Sequence, residues 1–158
     1  MRTLPRVLAV VATATALVGA GATSAVAAPD KKGTTTVAPS ALTGSVLQGL
    51  TGPARLTDAG AVFGIVGNPK SGVIKHVGGL TVAELDPATA ATSVTLSNFW
   101  IDTTAGTVSA IVDGGGRADV FLVGAGGTLT FTAAASAAIS GGGSLTGAVA
   151  GVATVALG

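Results

Sequence analysis

Apolar and polar residues alternate with a period of two along much of this chain, and clusters of Gly, Asn, Asp and Pro interrupt the alternation about every ten residues. The clearest run is Thr92–Ile101, where Val94 and Leu96 alternate with Ser93, Thr95 and Ser97. After Asn98 the apolar parity switches to Phe99 and Ile101. A one-residue shift of parity inside a strand is the mark of a β-bulge, which is expected near Ser97–Asn98. Thr103-Thr104-Ala105-Gly106 reads as a turn into a hairpin partner at Thr107–Val112. Asp113–Gly116 turns again into Ala118–Val123, and Gly124–Gly127 leads to Leu129 and Phe131.

Upstream, Ala61–Val66 is a short apolar run expected as a strand, followed by the turn-dense Gly67–Gly72. Val73–Val77 and Leu80–Leu85 are further β-type runs separated by Gly78-Gly79, and Asp86-Pro87-Ala88 makes a turn. Leu145–Leu157 closes the chain as an expected strand pair broken at Gly151. Only two stretches read otherwise. Leu42, Val46, Leu47 and Leu50 mark one face of a short helix or turn-containing loop beginning at Pro39, weakened by Gly44 and Gly49. Thr132–Ser140 has strong helix propensity with Ile139 as its one large anchor, so a short helix covering one end of a sheet is expected, followed by a Gly141–Gly143 connector. The fold class predicted is all-β, an antiparallel sandwich or open barrel with one or two short helices.

The N-terminal residues break from this pattern. Arg2 and Arg6 precede an apolar run at Val7–Ala22, and Ala25-Val26-Ala27 has the small-residue spacing that signal peptidase reads. Residues 1–27 are therefore expected to be a secretory signal, residues 28–38 a flexible mature N-terminus, and residues 39–158 one β domain. The location that follows is secreted, extracellular or loosely associated with the cell envelope, with no integral membrane segment once the signal is removed.

Charge changes the picture once the signal is set aside. The chain has 8 Lys+Arg and 7 Asp+Glu, and the signal takes Arg2 and Arg6, so the mature part is close to neutral. Its basic residues are dispersed, which argues against nucleic acid or an anionic membrane as partner. There is no cysteine and one histidine, which excludes thiol catalysis, Fe–S clusters and a single-chain site of several Cys or His ligands. No cofactor and no metal are expected from the residues themselves.

The run Gly72-Val73-Ile74-Lys75-His76-Val77-Gly78-Gly79-Leu80 resembles the G-x-I-x-H-x-G-G-L element of HtaA-type domains, β-rich secreted or surface modules of Gram-positive bacteria. Val94–Ile101 followed by Asp102–Ala110 is similar to that family's next strand and hairpin. Gly116–Phe121, Leu129–Ala133 and Gly147–Leu157 match its later elements in order, so the resemblance covers about residues 40–158. It implies a surface-exposed β domain, and in the founding members a haem held by a tyrosinate with a histidine beside it. The histidine corresponds to His76; the tyrosine has no counterpart, because this chain contains none.

The remaining chemistry is sparse. His76 is the one side chain that titrates near neutral pH. It reads either as a ligand-contacting residue, for haem or another small hydrophobic molecule, or as a strand histidine hydrogen-bonded to backbone. Trp100 lies opposite in parity to Phe99 and Ile101, so it is either a ligand platform or an indole packed under a loop or helix. Asp102, Asp113 and Asp119 fall at turns and strand ends without D-x-D-x-D-G spacing, which favours turn capping over calcium. Glu84 is the sole glutamate, no G-x-S-x-G elbow occurs, and the Asp113-Gly-Gly-Gly-Arg117 loop lacks a P-loop lysine. The residues thus point to a non-enzymatic module that meets a protein or envelope component through an interaction or structural role, with haem binding through His76 as the alternative.

Overall fold

A computed structural model describes residues 32–84, 93–140 and 144–158. Eleven strands follow in order: β1 (Gly33–Pro39), β2 (Leu47–Thr51), β3 (Arg55–Thr57), β4 (Gly60–Val66), β5 (Val73–His76), β6 (Gly79–Ala83), β7 (Ser93–Asp102), β8 (Thr107–Val112), β9 (Arg117–Val123), β10 (Thr128–Phe131) and β11 (Val149–Leu157). Two short helices accompany them, α1 (Ala41–Val46) and α2 (Ala133–Ser140). The expected signal, the Asp86-Pro87-Ala88 turn and the Gly141–Gly143 connector lie outside the described residues.

The strands run β7-β5-β4-β1-β11-β10-β9-β8, and pairing of β8 with β7 closes them into an eight-stranded antiparallel barrel. β6 and β2 extend from β7, and β3 pairs with β4. The all-β, antiparallel reading with short helices therefore holds, and the barrel is closed rather than open. Closure removes the exposed sheet edges that an open sheet would have to protect.

β7 makes closure work. Along one edge it pairs first with β6 over Ser93–Ser97, then with β5 over Trp100–Asp102. The switch falls at Asn98, whose φ of 52° is left-handed and whose N–H bonds the Gly78 carbonyl at 2.8 Å. The register against β8 shifts at the same place, between Ser97 and Trp100. The bulge expected from the parity change is thus the point where the strand leaves one partner for another. Gly79 lies against it with no room for a side chain: an added Cβ would meet Ser97 Cα at 2.8 Å.

Three expectations about the chain's ends are corrected. Residues 33–38, read as part of a flexible N-terminus, belong to β1, which is paired on both sides, with β11 and with β4. Thr34-Thr35-Thr36-Val37 is a β-branched run, and that preference for pleated backbone outweighs the polarity of what precedes it. Leu145–Leu157 is not a strand pair; one strand, β11, runs from Val149 and absorbs Gly151 through a bulge against β10. The helical face expected through Leu50 stops at Val46, because Leu47 turns extended and opens β2. Ser40 caps the short helix by accepting from the Thr43 N–H at 3.2 Å.

The core fills the barrel. Phe63, Phe99, Phe121 and Phe131 form a continuous aromatic file, with successive ring centroids 5.3, 6.5 and 5.5 Å apart. α2 seals one end with Ala135 and Ile139 fully buried, as its lone large anchor led one to expect. Thr132 opens it, donating to the Asp119 carbonyl and accepting from the Ala135 N–H.

Candidate functional site

Residues on β5 alternate outward and inward, so Lys75 faces out and Ile74 and His76 face the barrel interior. His76 is 3 % exposed and opposite Ile65 of β4. Its Nδ1 lies 3.0 Å from the Phe99 carbonyl oxygen, which only accepts, so Nδ1 carries the proton and donates. Its Nε2 is then an acceptor, and the Thr35 hydroxyl donates to it at 2.7 Å. Burial pushes the imidazole pKa below its ordinary value, against a smaller opposing effect from the Phe99 carbonyl. The ring is therefore neutral at pH 7, with both nitrogens engaged. Thr35 is itself 2 % exposed. Sequence reasoning missed it because it had assigned that segment to a flexible terminus.

A hydroxyl at 2.7 Å from an imidazole has the spacing of a nucleophile and its base. The pair is buried, and its surroundings leave little space for a substrate. The adjoining void is about 50 Å³, walled by Phe63, Phe99, Phe121, Leu80 and Val37 beside the Thr35–His76 pair. That space holds a few waters at most. Ordinary small-molecule sites occupy about 300–1,000 Å³. Iron ligation by His76 would also require Nε2 to give up the Thr35 hydrogen bond.

Trp100 points outward from β7 and is half-buried. Lys75 stands directly opposite on β5, with its Nζ 4.3 Å from the ring centroid. The Arg117 guanidinium lies 3.9 Å from the same centroid and donates to the carbonyls of Asn98 and Ser109. The two cations reach the indole from strands on opposite sides of β7. That arrangement ties β5, β7 and β9 together on the outer wall.

The carboxylates at strand ends brace the backbone. Asp102 Oδ1 accepts from the N–H groups of Thr104 and Ala105 at 2.9 and 2.8 Å, an Asx turn of the kind expected. Asp113 Oδ1 reaches across to the Thr95 N–H at 2.8 Å. Among the described residues no group of three or more His, Cys, Asp or Glu side chains could hold a metal ion.

Two features had no clear sequence signal. On the outer wall, Leu122, Thr130 and Val149 stand in one cross-strand row, and Thr128, Val152 and Ala38 in the next. Leu122, Val149 and Val152 are 49, 47 and 41 % exposed, and β1, β10 and β11 carry no charged residue. The second feature is a funnel at the barrel end opposite α2, about 280 Å³ in volume and lined by Ile74, Ile101, Val123, Leu129, Ala153 and Val155. No helix among the described residues is long and apolar enough to cross a membrane. No protein-family model, curated protein or solved structure matches this chain.

Proposed function

We propose that the protein is a secreted, non-enzymatic module of the cell envelope or extracellular space, similar to HtaA-type domains, which meets an envelope component through its barrel wall. The observation that carries this reading is the outer wall where Leu122 of β9 meets the uncharged strands β10, β11 and β1, and Leu122, Val149 and Val152 lie open to solvent in adjacent rows. Contiguous exposed apolar surface is rare on proteins that meet only water, and it marks interaction sites. The resemblance of Gly72–Leu80 and Val94–Ala110 to HtaA elements and the signal-like residues 1–27 support the location.

Sedimentation with purified envelopes of a Gram-positive bacterium tests it. The mature protein is expected in the pellet, and Val149→Lys or Val152→Lys is expected to move most of it to the supernatant. Both sites are exposed, so the barrel tolerates the charge. Wild-type protein that stays in the supernatant, or variants that pellet equally well, would overturn the reading.

The alternative, haem binding through His76, draws on the same resemblance. Hemin titration of wild type and His76→Ala separates it. With Nε2 bound to Thr35 and a void of about 50 Å³ alongside, the two Soret spectra are expected to be alike. A shift present in wild type and lost in the variant restores the haem reading.

A further inference from the structure

The funnel at the barrel end is a space separate from the outer wall, and what it holds does not depend on the envelope reading. Its position follows from topology. The β7–β8 turn at Asp102–Gly106, the β9–β10 connection at Val123–Gly127 and the outer half of β11 surround it. These rims are fixed in place: Thr103 donates its N–H and its hydroxyl to the Gly72 carbonyl at 3.0 and 2.9 Å, and the Val123 N–H bonds the Gly106 carbonyl at 2.8 Å. Val155 is opposite the inward-facing Thr35 and therefore points into the barrel, yet it is 39 % exposed, because the barrel is open above it. α2 closes the other end, so the barrel has a sealed floor and an open mouth.

The funnel does not stop at its own floor. Ile101, Leu129 and Ala153 line both it and the void of about 50 Å³ beside His76, so those residues border both spaces. At about 280 Å³ the funnel is larger than the engineered apolar cavity of roughly 150 Å³ that takes benzene, and just below the range of drug-sized sites. Its size suits a short aliphatic chain or a single small ring.

The polar groups at the rim select the head of the ligand. Asp102, at the end of β7 beside the inward-facing Ile101, is the one charged residue lining the funnel. Its Oδ1 is spent on the Asx turn, and its Oδ2 has no hydrogen-bond partner among the described residues. No lysine or arginine lines the space. A carboxylate or phosphate head would meet a like charge with no cation to offset it, whereas an alcohol or ammonium has a donor for Asp102. We propose that the open end of the barrel, lined by Ile74, Ile101, Val123, Leu129, Ala153 and Val155 with Asp102 at its rim, binds a small aliphatic molecule with a neutral or amine head.

Methyl-resolved NMR of the mature protein titrated with octan-1-ol, octylamine and octanoate tests this. Saturable shifts of the Ile74, Val123 and Val155 methyls are expected with the alcohol and the amine, and at least tenfold weaker binding with octanoate. Ala153→Leu fills the layer common to both spaces and is expected to weaken octanol binding at least tenfold. Val155→Arg, at a partly exposed position, blocks the mouth with less demand on the core and is expected to do the same. Asp102→Asn keeps the turn acceptor and is expected to bring octanoate close to octanol. The proposal is overturned by an absence of saturable shifts, or by blocked variants that bind as wild type does. Octanoate bound as well as octanol overturns the assignment to Asp102 and with it the ligand class. Shifts confined to Leu122, Val149 and Val152 also overturn it, while leaving the outer wall as the interaction surface.

Discussion

Replacing Phe99 by alanine is expected to lower the unfolding free energy by about 3–5 kcal/mol, the largest loss anticipated for any single side chain in this barrel. Phe99 is one of the two inner rings of the aromatic file, edge-on to Phe63 at 71° and stacked with Phe121 at 26°. It is 7 % exposed and borders the void beside His76, so its removal enlarges a hole that closed strands cannot collapse around. The Phe99 carbonyl that holds His76 is backbone and survives the substitution, so the loss reports packing rather than hydrogen bonding. Urea unfolding followed by fluorescence of the single tryptophan measures it, with the slope against denaturant unchanged. A loss under about 1 kcal/mol would mean that the rings do not pack as described.

The second large effect belongs to His76 and has a pH signature. His76→Leu is expected to cost about 2–4 kcal/mol, because the Thr35 hydroxyl and the Phe99 carbonyl are both left buried without their partner. In wild type the folded-state pKa of His76 is lowered, so the unfolded chain takes up a proton, around pH 6.5, that the folded barrel refuses. The stabilisation is therefore fully present above that pH. It falls as the pH drops from about 6.5 toward the lowered folded pKa, by at most about 1.4 kcal/mol per pH unit. Below the folded pKa the loss levels off. The chain has no other histidine, so His76→Leu removes this slope. Wild-type and variant stability curves that run parallel between pH 6.5 and 5.5 would show that the imidazole is not held neutral in the barrel.

Both effects come from the way β7 changes partners. Asn98 lets Phe99 take the inward position that strict alternation would have given to Trp100, and the Phe99 carbonyl then faces His76 on the neighbouring strand. The same half-turn throws Trp100 outward, between Lys75 and Arg117. One irregular residue thus sets the core ring, the buried imidazole and the outer brace.

What the sequence determined by itself was local and periodic. The parity break at Asn98 is visible because side chains on a strand alternate strictly, so one extra residue reverses every position after it. The hairpins at Thr103–Gly106 and Asp113–Gly116, the short covering helix ending at Ser140 and the all-β class came from the same kind of pattern. Pairing between distant segments left no such mark. β1 joins β11 and β4 only because a closed barrel needs a strand between them, and a stretch of threonines beside a charged tail does not announce that it will be central. Thr35 met His76 across 41 residues of chain, which fixed the imidazole's tautomer and closed off its second nitrogen. The mouth was equally invisible, since Ile74, Val123 and Val155 are ordinary inward strand residues until closure leaves one end of the barrel open and the other covered by α2. Period reports which face a side chain takes; only tertiary closure decides whether that face looks onto packed core, a void or solvent.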